Sequence, residues 1–155
     1  MQIILMRHGE AVPFAPTDAE RALTPKGLGE ATQTANQLKV AGFAPNRIWV
    51  SSRLRAQQTA EQVRTVFGLH ATPQVLDGIT PEDPWASAMT VLERTIGDGD
   101  LVVFHQPILM SIVASLITGD AGGYVEPNAV PAAAYVLSLD AFVPGTATLV
   151  AAYTP

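Results

Sequence analysis

The stretch Ile3-Ile4-Leu5-Met6-Arg7-His8-Gly9 decides how the chain is read. Four consecutive apolar residues without polar alternation are the pattern of a strand buried on both faces, as in the middle of a parallel sheet. The run stops on a guanidinium, an imidazole and a residue with no Cβ, so polar chemistry begins where the strand ends. Leu101-Val102-Val103-Phe104-His105 repeats the arrangement far downstream, a short apolar run closed by a histidine. In open α/β sheets, ligands gather outside the carboxyl ends of the strands, where helix N-termini aim free N–H groups at a common crevice. Both histidines are therefore expected on one rim.

Between these strands the period changes to that of helices. Thr24-Pro25 offers an N-cap followed by proline at the first helical position. A helix is predicted from Thr24 to about Val40, with Leu28, Ala31, Ala35 and Leu38 on its apolar side and Ala41-Gly42 as its stop. Arg47-Ile48-Trp49-Val50 reads as a second strand, and Ser51 and Ser52 are expected to cap a helix running to Gly68. Gln74-Val75-Leu76 is a weak third strand, 77–84 a loop, Trp85 to Ile96 a third helix, and Gly97-Asp98-Gly99-Asp100 a turn. After Leu101–Phe104 comes an apolar helix, Ile108 to Ile117. Beyond a glycine-rich turn at 119–123, Ala132 to Leu139 and Thr146 to Tyr153 are β-prone runs expected to form a terminal hairpin. The prediction is one α/β domain over 1–155, three layers deep, with a mostly parallel sheet closed at one edge by an antiparallel hairpin.

The strand ends deliver Arg7-His8-Gly9, then Ser51-Ser52-Arg53-Leu54-Arg55, then His105. Two imidazoles and up to three guanidiniums around one point suit a phosphoryl group, whose non-bridging oxygens need several charged or planar donors. A metal centre would call for carboxylates or more histidines, so none is expected. Gly9 is expected to let the backbone approach a phosphate closely. Neutral imidazole is a competent nucleophile toward phosphorus, and passage through a phosphohistidine divides one hard displacement into two easier ones. Glu10 and Asp18 are read as shaping the first loop and Arg53 as a solvated residue at a helix start. Arg21, Lys26 and Arg47 are read as scattered charges that form no patch, His70 as exposed, and Trp49 and Trp85 as packing residues.

Three ordered motifs, Leu5-Met6-Arg7-His8-Gly9-Glu10-Ala11, Arg21-Ala22-Leu23-Thr24-Pro25-Lys26-Gly27 and Ser51-Ser52-Arg53-Leu54-Arg55-Ala56-Gln57-Gln58-Thr59-Ala60, resemble the histidine phosphatase superfamily. Within that phosphoglycerate mutase-like group the chain is most similar to the SixA-type phosphohistidine phosphatase branch, and Val102-Val103-Phe104-His105-Gln106-Pro107 resumes the likeness. The resemblance implies that His8 is the nucleophile, that Arg7 and Arg55 clamp the phosphate, and that His105 completes the pocket. It implies no cofactor. Phosphate or sulfate is expected to fit the same site. Where relatives carry other residues after the second histidine, this chain has Gln106-Pro107. The glutamate that donates a proton in the larger mutases and acid phosphatases has no counterpart near Leu76 to Thr80, leaving Asp77, Glu82 and Asp83 as neighbouring candidates. An alcohol leaving group needs such an acid, whereas the nitrogen of phosphohistidine departs without a strong one. The expected activity is dephosphorylation of phosphohistidine in a signalling protein. A small-molecule phosphomonoesterase and a non-catalytic phosphate-binding scaffold are the alternatives.

Composition narrows the rest. At 155 residues and 48% hydrophobic, the chain is long enough to bury a core of its own. Without cysteine there is no disulfide framework, thiolate zinc site or cysteine nucleophile. Nine Lys+Arg against 14 Asp+Glu leave a net charge of −5, which repels nucleic-acid phosphates and anionic lipid. No basic region precedes the first apolar run and no apolar stretch approaches the roughly 18 residues of a membrane span. A cytoplasmic location is expected.

Overall fold

The computed structural model describes all 155 residues. In chain order it contains β1 (Gln2–Arg7), a single 3-10 turn at Asp18–Glu20, α1 (Pro25–Val40), β2 (Arg47–Val50), α2 (Leu54–Phe67), β3 (Gln74–Val75), α3 (Trp85–Thr95), β4 (Asp100–Phe104), α4 (Ile108–Thr118), β5 (Ala134–Ser138) and β6 (Thr148–Tyr153). The sheet order is β3-β2-β4-β1-β5-β6. β1 to β4 run parallel, while β5 lies antiparallel to β1, and β6 antiparallel to β5. The predicted alternation and the edge hairpin are both present. The hairpin strands begin two residues later than their β-prone runs do.

Alternation along each strand divides the apolar residues between two cores. Ile4, Met6, Ile48, Val50, Leu101 and Val103 face α1 and α2, whereas Ile3, Leu5, Val102, Phe104, Tyr135 and Leu137 face α3 and α4. The central strands are thus covered on both sides, which is why their sequences read as unbroken apolar runs. Helix α1 starts as predicted, with Pro25 at its first position and the Thr24 hydroxyl accepting the Gly27 N–H at 3.0 Å. Helix α2 does not start as predicted. Its N-cap is Arg53, whose guanidinium offers no acceptor to the helix N–H groups, while the Ser51 hydroxyl lies 2.7 Å from His105 Nε2 and accepts the Arg53 N–H at 3.4 Å, outside the helix.

Two further expectations are corrected here. Asp100 belongs to β4 rather than to the preceding turn, and its wholly buried carboxylate accepts from Arg47 Nε and Nη2, Trp49 Nε1 and the Gly97 N–H. Arg47 is therefore no stray charge. It satisfies the buried Asp100 carboxylate, as a charge taken out of water requires, and lies over the Trp49 ring at 5.5 Å. No helix is long and apolar enough to cross a membrane.

Candidate active site

β1 and β4 are parallel neighbours with Arg7 opposite Phe104, so the residues that follow each strand emerge side by side. The His8 and His105 rings sit 5.1 Å apart between centroids, tilted by 56°. They share a cleft of about 270 Å³ with Arg7, with Arg55 from the first turn of α2, and with Gln106. Two loops complete its lining, one through Asp18 and Arg21 and the other through Pro81 and Glu82. The four site residues expected from sequence, Arg7, His8, Arg55 and His105, are thus brought together.

Each is fixed by the backbone or by a hydroxyl. The strand end is clasped by the segment before β5: Arg7 N–H donates to Ala133 O, Ala132 N–H donates to His8 O, and Arg7 Nη1 donates to Ala129 O at 2.7 Å. His8 Nδ1 lies 2.7 Å from the Gly9 carbonyl, which can only accept. The proton is therefore on Nδ1, and Nε2 keeps its lone pair. Arg55 is 3% exposed and donates through Nη1 to Asp18 O at 2.9 Å and through Nη2 to the Asp18 carboxylate at 3.1 Å. His105 Nε2 lies 2.7 Å from Ser51 Oγ. Four polar atoms of this cluster, the Nε of Arg7, Arg53 and Arg55 and Nδ1 of His105, are buried without a hydrogen-bond partner in the protein.

Electrostatically the cleft keeps its imidazoles neutral. Burial pushes His8 down to about 4, assisted by the positive charges of Arg55, Arg7 and Arg21 and opposed by its bond to Gly9. Burial lowers His105 as well, with His8, Arg55 and Arg53 adding to the effect. Two neutral rings among guanidiniums that carry unpaired donors form a receptor for an oxyanion. The largest hollow on the molecule, about 700 Å³ between α1 and α2, contains no titratable side chain, so size does not mark the chemistry.

Residues 3–80 match the model of the histidine phosphatase superfamily, branch 1. The phosphohistidine phosphatase SixA of Escherichia coli (strain K12) is 35% identical over 77% of this chain and 76% of its own. The chain belongs to the histidine phosphatase superfamily. Its SixA homolog in Haemophilus influenzae is 36% identical over 75% of this chain and 77% of that protein. The structure of the protein histidine phosphatase SixA complexed with tungstate superposes with a TM-score of 0.84 at 32% identity, covering 100% of this chain and 97% of that one.

Several residues of this histidine phosphatase stand where the sequence did not put them. Gly9 serves helix packing: a Cβ there would lie 2.4 Å from the Gly27 carbonyl oxygen, and one at Gly27 would lie 2.0 Å from Glu10 O. These two bare backbones press the histidine loop against the start of α1. Ser51 orients His105 instead of capping α2. Asp18 and Arg21 line the cleft instead of merely shaping a loop or standing alone, joined by an ion pair of 3.0 Å. Arg53, 21% exposed, is held between Glu82 at 2.6 Å and Asp18 at 3.6 Å. Glu10 does shape the first loop, accepting from the Thr24 hydroxyl at 2.7 Å.

The three acid candidates divide. The hydrogen bond from Arg53 holds the Glu82 carboxyl below its ordinary value, so it is ionised and has no proton to give. Asp83 accepts from the Thr80 N–H and hydroxyl, a local turn contact, and Asp77 is exposed outside the cleft lining. The Gln106 side chain accepts the Met110 N–H at 3.1 Å and so caps α4.

Proposed function

We propose that this protein is a metal-independent phosphatase that forms a phosphohistidine intermediate on His8 and takes its phosphoryl group from a phosphohistidine residue of a signalling protein. One observation carries the reading: His8 is held neutral, with its proton on the side of the Gly9 carbonyl and its free lone pair in a cleft flanked by Arg7, Arg55 and His105. Nε2 attacks phosphorus in line with the departing nitrogen, and the electron pair of the breaking P–N bond returns to that nitrogen. Arg7 and Arg55 hold the equatorial oxygens, which gain charge as the bonds loosen. With the Ser51 hydroxyl donating to Nε2 of His105, that ring carries its proton on Nδ1 and donates it to the same oxygens.

Nucleophile and leaving group are then both imidazoles, so the first transfer exchanges one P–N bond for another and needs no strong acid. Water then attacks the phosphoenzyme. His8 departs as a neutral ring still bearing its Nδ1 proton, and dihydrogen phosphate is released. The absence of any uncharged carboxyl among Asp77, Glu82 and Asp83 in the cleft supports nitrogen rather than alkoxide as the leaving atom. Sequence identity with SixA of Escherichia coli, and the tungstate bound by the structurally similar SixA, support a phosphoryl substrate.

The test compares kcat/KM for phosphate release from a phosphohistidine-bearing phosphotransfer protein with that from a panel of alkyl phosphates. Preference for the phosphohistidine protein is the expected result. A preference for an alkyl phosphate with little dependence on leaving-group acidity transfers the protein to the phosphomonoesterases.

A further inference from the structure

The mechanism uses the floor of the cleft and leaves its mouth without a task. Asp18 sits there with its side chain 42% exposed, one carboxylate oxygen accepting from Arg21 at 3.0 Å and the other from Arg55 at 3.1 Å. A carboxylate has about four lone-pair positions, so each oxygen retains capacity for another donor. Arg53 does not consume it. That guanidinium closes on Glu82 at 2.6 Å and stays 3.6 Å from Asp18.

Burial acts to raise Asp18, but hydrogen bonds from Arg21 and Arg55 prevail and hold its carboxyl below the ordinary value. It is an acceptor only, with no proton to supply to an alkoxide. A phosphoramidate behaves differently from an ester at such a mouth. The departing group of N-phosphoimidazole carries an N–H on the ring nitrogen remote from phosphorus, and the ring is cationic in the form that leaves readily.

We infer that Asp18 is a specificity-determining residue, the acceptor of the leaving-group N–H, which makes the cleft selective for phosphoryl groups carried on nitrogen over those carried on oxygen. The inference rests on the phosphatase reading above. In the step, the substrate ring enters protonated and hydrogen-bonded to the Asp18 carboxylate. Its P–N bond breaks toward the ring nitrogen, the new P–N bond forms at His8 Nε2, and the ring leaves neutral with its N–H still on Asp18. Charges and protons balance without an enzymic acid. Buttressing of Arg55 by the same carboxylate acts on every phosphoryl substrate alike, so it does not by itself create a preference.

The experiment measures kcat/KM of the wild-type enzyme and of Asp18→Asn on N-phosphoimidazole and on 4-nitrophenyl phosphate. Asp18→Asn is expected to lower the ratio of the first to the second by about tenfold, the effect of removing one charged acceptor from an N–H donor. Because the ratio is taken within one preparation, partial unfolding cancels. A parallel loss on both substrates, with the ratio unchanged, reduces Asp18 to a prop for Arg55 and overturns the inference while leaving the proposed function intact. Failure of the wild-type enzyme to hydrolyse either substrate removes the proposed function and the inference together. Should Asp18→Asn turn over neither substrate, the wild-type enzyme alone decides. After division by the spontaneous rates, replacing the probe's ring N–H by N-methyl should lower kcat/KM by about tenfold, and equal values overturn the inference.

Discussion

The floor of the cleft and its rim are built on opposite principles. On the floor, Arg7, His8, Arg55 and His105 are anchored to main-chain carbonyls or to a buried hydroxyl, and all four come from strand ends or the first turn of a helix. At the rim, Asp18, Arg21, Arg53 and Glu82 are linked to one another by ion pairs, with Arg21 also donating to Val12 O and Asp18 accepting from Arg55, and none lies within a strand or an α-helix. A group tied to the scaffold keeps its geometry whatever ligand arrives. A group tied to another exposed charge exchanges partners at little cost, since such pairs contribute at most about 1 kcal/mol. On the proposed function, the floor serves the chemical step and the rim sorts what enters.

Removing a floor residue should therefore have the largest effect. His8→Ala is expected to abolish turnover by about a thousandfold or more while the protein still melts cooperatively. Acid-labile, base-stable phosphate should accumulate on the wild-type protein alone, as an alkali-stable label after quench. Comparable turnover in the variant would erase the distinction at its centre.

The comparison is sharpened by the two arginines that stand two residues apart on either side of the boundary. Arg55→Ala, and Arg7→Ala beside it, should each lower kcat/KM by about tens to hundreds of times through loss of a charge-assisted contact. Arg53→Ala should lower it severalfold at most, since its partners are Glu82 and Asp18. Steady-state kinetics that rank Arg53 as the severe site would move the boundary to the other side of Leu54.

Protonation separates the regions by stability. Between the unfolded imidazole value of 6.5 and the His8 value of about 4, the unfolded chain binds a proton that the folded chain refuses. Stability attributable to His8 is therefore fully present above about pH 6.5 and declines as pH falls toward about 4. The drop in Tm from about pH 7 to about pH 4.5 should be smaller in His8→Asn than in the wild type, the remainder coming from His105 and from carboxylates such as Asp18 and Glu82 that are held below their ordinary values. An equal drop in both proteins would mean that His8 is not the ring forced to stay neutral. The smallest expected effect is none: turnover should persist in EDTA, because guanidiniums already neutralise the phosphoryl charge. Loss in EDTA with recovery on adding one divalent ion would replace this account of the floor.

The same division explains what was legible in the sequence. Arg7, His8 and His105 announce themselves because unbroken apolar runs fix the strand ends, and Arg55 because it sits in a motif just after another such run. Asp18 carries no such marker. Its bond to Arg55 spans 37 positions, and that of Arg53 to Glu82 spans 29, pairings made by loop closure that no local period records. The nearest available clue was the spacing of Asp18 and Arg21, three apart on one helical turn. Ser51 was misread for a related reason, since serine before a helix is ordinarily a cap, and only the neighbouring β4 brings His105 to it. The packing role of Gly9 carries no local marker either, because the approach of Gly27 is a tertiary contact.

The clasp around the end of β1 also sets an order of events during synthesis. Arg7 Nη1 is held by a carbonyl that lies 122 positions further along the chain, at Ala129, and the Arg7 and His8 backbones are held by Ala133 and Ala132. One edge of β1 stays open until Ala134–Ser138 arrive to pair with it, on the order of ten seconds at ordinary elongation rates. The nascent chain therefore carries the proposed clamp unassembled until the segment 129–138 has emerged, and catalytic competence cannot precede that segment.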